Sequence, residues 1–183
     1  MIDSKAPIDI SFKRIQQLAI PAIIAGIAEP ILSSTDAAVV GNMPSYSTES
    51  LAAVGIVGAF LSMLIWILGQ TRSAISTIIS QNLGAGRLED IKVLPAQAIF
   101  FNIILSFIVL GSTYFFVGDI FTFLNAKGMV LDLSIDYYSI RVWGFPLTLF
   151  TFAIFGIFRG LQNTFWPMLV AMSGALINIC LLY

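Results

Sequence analysis

Three kinds of residue are scarce in this chain of 183 residues, and each scarcity excludes a class of protein. Histidine is absent, which removes the most versatile general base and the commonest metal ligand. A single cysteine, Cys180, excludes a disulfide within the chain. Only 10% of the residues are charged, against about a quarter in a typical soluble domain. Because the chain has no histidine, a proton carried by this protein would most naturally be bound by a carboxylate.

Apolar residues make up 58% of the chain, which indicates an integral membrane protein. The net charge of −1 and the absence of a basic patch argue against a nucleic-acid partner. Five unbroken apolar stretches reach or approach the roughly 20 residues that a membrane-spanning helix needs. Because a membrane β-barrel would show short alternating segments instead, we predict an all-α protein. The predicted spans are 15–40, 51–79, 93–117, 133–158 and 165–183.

The distribution of basic residues between the spans predicts the orientation. Cytoplasmic loops carry an excess of lysine and arginine. Six basic residues lie on the side of the N-terminus and one on the other, so the N-terminus is predicted to be cytoplasmic. The six are Lys5, Lys13, Arg14, Arg87, Lys92 and Arg159, and the one is Lys127.

The first span carries a polar stripe. Glu29, Ser33 and Asp36 are spaced i, i+4 and i+7, which places them on one face of a helix. Pro21 and Pro30 each lack an amide donor, so both are predicted hinges. A carboxylate at membrane depth is costly, by about 2.5–3.5 kcal/mol, and is rarely kept without a partner or a task. Asp36 is thus either a functional acid beside a cleft lined by Ser33, or a cap at the outer helix end.

Other polar residues lie within the apolar spans. By helical rise, Glu29 and Arg141 should lie at a similar depth, so they are a possible intramembrane pair, either fixing the packing or serving transport. Arg72 is expected to extend toward the cytoplasmic interface and receives no role. Asn102 and Asn178 either make interhelical hydrogen bonds or line a transport cleft and coordinate an ion.

Nothing in the sequence indicates an enzyme. It has no nucleophile–base constellation, no metal-ligand spacing and no phosphate-binding loop, so we predict neither a metal nor an organic cofactor. The glycines within the spans, such as Gly69, Gly144 and Gly156, are predicted to permit close contact between helices.

Three motifs carry a resemblance to a known family. The first span ends in STDAAVVGN, ISQNLGAGR closes the second, and FRGLQNTFWP connects the fourth and fifth. In order and spacing they resemble the multidrug and toxic compound extrusion (MATE) transporters. The longer segment AEPILSSTDAAVVG is most similar to the DinF-like branch of that family.

The resemblance implies a fold and an activity. Family members have twelve spans, arranged as two six-helix lobes around a cleft. They export organic, often cationic or amphiphilic, compounds in exchange for protons or sodium. Residues 1–183 would then be an incomplete N-terminal lobe of a multi-pass protein, in the inner membrane of a bacterium. The sixth span and the second lobe would be absent, and the uncapped end at Tyr183 fits that expectation.

The resemblance also implies site residues. Asp36 matches the aspartate proposed to bind the proton or sodium ion, Pro21 matches the proline at which the helix bends, and Asn178 matches an asparagine near the ion site. An aspartate four residues beyond that asparagine is often found in the branch, but Leu182 stands there in this chain, which weakens the case for sodium.

Two alternatives stay open. A flippase of lipid-linked oligosaccharides from the same superfamily would bind phosphate-bearing lipids, and Arg72 and Arg141 are compatible with it. A non-transporting membrane subunit is the other alternative. A membrane-embedded enzyme is more distant, because the catalytic groups are missing.

Overall fold

The computed structural model describes residues 11–42 and 47–182, and those residues are almost entirely helical, with no β-strand. This confirms the predicted all-α class. The helices, in chain order, are α1 (Phe12–Gly41), α2 (Ser47–Leu68), α3 (Gln70–Gly84), α4 (Leu88–Phe115), α5 (Val117–Phe123), α6 (Met129–Arg141), a 3-10 turn (Val142–Gly144), α7 (Phe145–Gly160) and α8 (Phe165–Leu182).

Three segments of the described residues are long and apolar enough to cross a membrane. They are Thr48–Gly84, Ile91–Phe115 and Met129–Gly160, and shorter apolar helical segments, Ile15–Ala28 and Phe165–Leu181, lie in α1 and α8. Each of the five predicted spans thus overlaps an apolar helical segment, and the exact bounds of the spans stay predictions. The predicted orientation of the N-terminus is a separate matter and stays a prediction.

Two of the predicted spans consist of two helices each instead of one. The span predicted at 51–79 is interrupted at Gly69, where α2 gives way to α3. The span predicted at 133–158 is interrupted by the 3-10 turn that ends at Gly144. In the second case Pro146 lies in the first turn of α7, and proline lacks the amide that would continue the preceding helix. Both interruptions lie well inside an apolar segment.

Helix α7 lies at the centre of the lobe, packed against α3 and α4. Two glycines one turn apart, Gly156 and Gly160, form the α7 face toward α3. A Cβ atom at Gly156 would lie 2.8 Å from the carbonyl oxygen of Arg72, and one at Gly160 would lie 2.7 Å from the Cβ of Ile79. The contact is therefore possible only without side chains, as in other small-xxx-small helix pairs. The predicted packing role of Gly156 is confirmed.

An aromatic cluster joins α2, α5 and α6. Phe121 and Tyr138 are fully buried, and their rings meet edge to face with centroids 5.5 Å apart. Phe60 of α2 packs against both, at 5.8 Å from each ring. Such pairs add to the stabilisation from burial, so the cluster helps to hold α2, α5 and α6 together.

Helix α1 is attached differently from the other long helices. It packs mainly against α8 and less extensively against α2. At the base of this pair, the hydroxyl of Thr164 donates a hydrogen bond of 3.1 Å to the carbonyl oxygen of Leu18. The α1–α8 pair therefore forms a layer beside the body built from α2 to α7, and a cavity opens between the two.

Substitution of Gly160 by alanine tests the close contact of α3 and α7. The added methyl group must displace Ile79 or the backbone, and overpacking of this kind costs about 1–3 kcal/mol in the free energy of unfolding. Gly174→Ala in α8 is the matched control, because its Cβ would meet nothing within 4 Å. Unfolding in mixed detergent micelles should show a loss for Gly160→Ala and no loss for Gly174→Ala. Equal stabilities would contradict the close contact.

Candidate functional site

The interruption at Gly69 breaks the helical hydrogen-bond ladder inside the membrane-spanning segment. The backbone amide of Gly69 still donates a hydrogen bond to the carbonyl oxygen of Ile65 at 2.7 Å. The backbone amide of Arg72 donates to the carbonyl oxygen of Gly69, only three residues back, at 3.1 Å. Backbone groups released by such a break are tolerated at membrane depth where they are buried in protein or line a watery cavity. Transporter binding sites are often built on helices broken in this way.

Side chains that follow the break lie within hydrogen-bond distance of two carbonyl groups at the end of α2. The hydroxyl of Thr71 lies 2.7 Å from the carbonyl oxygen of Leu68. The amide nitrogen of Gln70 lies 3.3 Å from the carbonyl oxygen of Trp66. These two polar side chains stabilise the break, because they lie close to backbone carbonyl groups that have lost their helical donors.

Asn102 of α4 supports the same break from outside the cavity. Its side chain is fully buried, its Oδ1 lies 2.9 Å from the Thr71 hydroxyl, and its Nδ2 donates to the carbonyl oxygen of Ala98 at 2.9 Å. The expectation that Asn102 lines a cleft is wrong, because α4 turns this side chain into its interface with α3. Of the two alternatives for Asn102, the structure shows the interhelical hydrogen bond.

A cavity of about 560 Å³ lies beside the break and is called the break cavity below. Its volume is within the roughly 300–1,000 Å³ range of small-molecule sites. Helices α1, α2, α3 and α7 all contribute to its wall. The residues that line it are Gly26, Pro30, Ser62, Ile65, Trp66, Gly69, Gln70, Arg72, Ser73 and Phe152.

Arg72 is the one charged residue among the described residues that line the break cavity. Its guanidinium carbon lies 5.4 Å from the centroid of the Phe152 ring, a cation–π contact. The side chain is partly buried and lies in the cavity wall, and the expectation that it extends toward the cytoplasmic interface stays a prediction. The signal in the sequence was the polar run Gln70–Ser73 directly after Gly69, within an apolar span.

Arg141 lies at a smaller neighbouring cavity of about 180 Å³, which shares Ile65 with the break cavity. Its guanidinium lies 5.5 Å from the Tyr137 ring centroid, and it donates a hydrogen bond to the hydroxyl of the same tyrosine. No described residue of α1 lines this second cavity.

The polar stripe of α1 lies in part outside the described residues. The helix is described along its length, but the side chains of Glu29, Ser33 and Asp36 are not. The pairing of Glu29 with Arg141 therefore stays a prediction. Gly26 and Pro30, which flank Glu29 by three residues and one, line the break cavity, so this stretch of the α1 backbone lies at the wall that contains Arg72.

The prolines of α1 have distinct surroundings. Both Pro21 and Pro30 lie inside an uninterrupted helix. Because Pro30 has no amide hydrogen, the carbonyl oxygen of Gly26 has no helical donor, and both residues line the break cavity. Pro21 follows three residues after Leu18, whose carbonyl receives the Thr164 hydrogen bond. The hinge roles of the two prolines stay predictions.

Asn178 lies in α8, the helix packed against α1. Its Oδ1 atom is buried and has no hydrogen-bond partner among the described residues. The contact of Thr164 with Leu18 sets the two helices side by side. At ~1.5 Å rise per residue, Asn178 then lies within roughly 6 Å of Asp36 along the helix axes. We therefore expect these two positions on neighbouring turns of the paired helices, and their joint role stays a prediction.

Comparison with known proteins gives relatives that are named for multidrug resistance. Residues 21–183 match the MatE family profile. Multidrug resistance protein MdtK of Edwardsiella ictaluri is 30% identical over 164 residues, which cover 88% of this chain and 35% of that protein. Probable multidrug resistance protein NorM of Xanthomonas campestris pv. campestris is 25% identical, over 87% of this chain and 34% of that protein. The chain therefore spans about a third of the length of these relatives.

Solved structures give the same result for the fold. One is a MOP superfamily transporter from Pyrococcus furiosus Vc1, whose binding pocket is described as having a reverse polarity that suggests a different function. It matches with a TM-score of 0.84 and 26% sequence identity, and the match covers 93% of this chain and 37% of that one. The other is an outward-facing multidrug resistance MATE family transporter, with a TM-score of 0.84 and 24% identity over the same shares, a likeness of fold alone.

The apolar helices, together with these relatives, identify the chain as a multi-pass integral membrane protein. The family profile covers nearly the whole chain, and the fold agrees with it over 93% of the residues. The protein belongs to the MatE family.

Proposed function

We propose that this chain forms the N-terminal part of a secondary active transporter in the bacterial inner membrane. The complete transporter, which would include a second lobe, exports amphiphilic organic compounds in exchange for protons or sodium. The coupling ion is the only small inorganic partner that the proposal requires. The role is transport and not catalysis. Membership of the DinF-like branch, which the AEPILSSTDAAVVG segment suggests, is part of the same proposal.

The break cavity is the observation that carries this proposal. It lies beside a helix broken within a membrane-spanning segment, and its wall combines the aromatic rings of Trp66 and Phe152 with the polar side chains of Gln70, Arg72 and Ser73. A cavity that were merely a packing defect would be apolar and would need no broken helix. Amphiphilic compounds need both kinds of surface. Relatives named for multidrug resistance support the same reading.

The proposed coupling site lies on the α1–α8 layer. Asp36 would bind the proton or sodium ion, and the buried Oδ1 of Asn178, which has no partner among the described residues, would supply a nearby acceptor. Neutralising a carboxylate at this depth removes a large desolvation cost, so the packing of α1 would change with ion binding. Because α1 also forms part of the break cavity, ion occupancy and substrate affinity would be linked.

A lipid-linked oligosaccharide flippase is the second candidate function. The observation that favours it is Arg72 in the cavity wall, since a phosphate-bearing lipid requires a cationic partner. Cells that lack the complete transporter would then accumulate lipid-linked precursors, whereas loss of an exporter would make them sensitive to ethidium-like dyes.

Replacement of Asp36 by asparagine tests the proposed coupling. The amide resembles the protonated acid in shape but cannot exchange a proton, so efflux driven by the ion gradient should fall to background. Ethidium efflux is measured in pump-deficient cells that express the complete transporter. Asp119→Asn is the control, because Asp119 lies exposed on the short helix α5 and should tolerate the change. Efflux at the normal rate by Asp36→Asn would remove Asp36 from the mechanism.

Replacement of Asn178 by alanine tests the second group. Loss of one polar contact inside a membrane protein costs up to about 1.7 kcal/mol, so the half-saturating ion concentration should rise about 3- to 20-fold. Expression and maximal efflux should stay near normal. Asn82→Ala is the control, since the Asn82 amide donates to the carbonyl of Ile78 in its own helix. An unchanged ion dependence of Asn178→Ala would exclude this residue from the ion site.

A further inference from the structure

We propose that a groove between α3 and α4 binds one straight acyl chain of a bilayer lipid. The groove lies between residues 71–79 of α3 and 94–101 of α4, has a volume of about 280 Å³, and is called the α3–α4 groove below. This site is independent of the proposed function, because it concerns the contact of the lobe with the membrane. The juxtaposition that carries it is an apolar groove that opens on an exposed apolar helix face.

The α3–α4 groove exists because α3 and α4 pack more extensively against α7 than against each other. Ala74 of α3 and Ala98 of α4 both line the groove, and their small side chains leave the space between the two helices unfilled. The bundle therefore has room for an additional apolar chain beside α3.

The lining of the groove suits hydrocarbon. Among the described residues that line it, only Thr71 and Gln97 have polar side chains. The Thr71 hydroxyl already lies within hydrogen-bond distance of the carbonyl oxygen of Leu68 and of the Asn102 side chain. Apolar cavities of about 150 Å³ stay dry and take up apolar molecules such as benzene. A larger groove with this lining therefore favours an apolar occupant over water.

The groove is continuous with the surface that the lobe exposes to the bilayer. Ile78 and Phe101, one on each wall, are 46% and 58% exposed, and the adjoining Phe100 on α4 is 67% exposed. All three side chains lie within segments long and apolar enough to cross a membrane. Because exposed apolar side chains of a spanning segment contact lipid tails, acyl chains have direct access to the groove.

The depth and width of the groove fit a single chain of one leaflet. Helix α3 ends at Gly84, and by helical rise the groove extends from roughly 8 to 20 Å from that end. One leaflet with its headgroups is about 20–22 Å thick. Spread over the roughly 12 Å between Ile79 and Thr71, the volume gives a mean cross-section of roughly 23 Å², which is the width of one straight hydrocarbon chain. A methyl-branched chain would overfill this space.

Helix α3 separates the α3–α4 groove from the break cavity. By the helical period, Ile78 in the groove and Gly69 and Ser73 in the break cavity fall on roughly opposite faces of the helix. An acyl chain in the groove fills the gap between α3 and α4 and supports α3 from the lipid side. The bound lipid thereby helps to hold one wall of the break cavity in place.

The test measures contact of lipid chains with single tryptophans in the full chain, with Trp66, Trp143 and Trp166 replaced by phenylalanine. One reporter carries Phe101→Trp, in the groove, and the matched control carries Phe100→Trp, at the same depth but outside the groove. Both are reconstituted in nanodiscs of diphytanoyl phosphatidylcholine, whose chains are methyl-branched. Phosphatidylcholine with straight chains, brominated near their ends, is then added in increasing mole fraction, because bromine quenches tryptophan on contact.

We expect half of the quenching of Phe101→Trp at a mole fraction at least about fivefold below that for Phe100→Trp, because the straight chain fits the groove and the branched chain overfills it. Ala74→Leu, which fills the groove from α3, should remove this difference. Ala96→Leu, at an exposed residue of α4 outside the groove, should leave it unchanged. Helical content by circular dichroism checks that each variant folds.

Equal quenching of the two reporters, or a difference that persists in Ala74→Leu, would overturn this inference. Weaker quenching of Phe101→Trp than of Phe100→Trp would show that the groove is closed to lipid, for instance by a second copy of the chain, and would overturn it as well. None of these results touches the proposed transporter function. If Phe101→Trp does not fold, Ile78→Trp on the opposite wall serves as the groove reporter in the same comparison.

Discussion

The structure depends on one constraint, which is that a helix broken inside a membrane must satisfy the backbone groups it releases. At Gly69 the side chains of Thr71 and Gln70 lie within hydrogen-bond distance of the carbonyl groups of α2, and Asn102 of the neighbouring helix holds Thr71 from behind. The same polar run continues into Arg72. The fold thus places several polar side chains around the break in an apolar segment, and the break cavity lies beside them.

Helix α1 forms one wall of the break cavity but packs mainly against α8. The helices α3, α4 and α7 are in close contact, and the two glycines of α7 leave little room for adjustment there. Helix α1 instead pairs with α8, tied at its base through Thr164, and contributes Gly26 and Pro30 to the cavity wall. In the proposed function, a change in the charge of α1 would alter the cavity and leave the contacts of α3, α4 and α7 in place, as coupling between an ion and a substrate requires.

The sequence predicted the helices well because membrane crossing demands long apolar runs, and these are visible without any knowledge of packing. It could not predict which residues meet. A glycine within a span is compatible with a close helix contact and with a break in the helix. Gly156 lies at a close contact, whereas Gly69 lies at a break. Asn102 meets a partner 31 residues away, and the direction of Arg72 depends on which face α3 turns to α7. The Asp36 assignment rests on sequence and resemblance, and it stays a prediction.

Access of water to the break cavity is the central claim, and labelling of single cysteines in native membranes tests it most directly. With Cys180 replaced by serine, a cysteine at Ser73, in the cavity wall, should react with a membrane-impermeant maleimide. A cysteine at the fully buried Ser106 and one at Ile108, which is 61% exposed on the outer face of α4, should not react. Failure of the Ser73 cysteine to react, or reaction no faster than at Ile108, would show that this cavity is closed to water and is not part of a transport path.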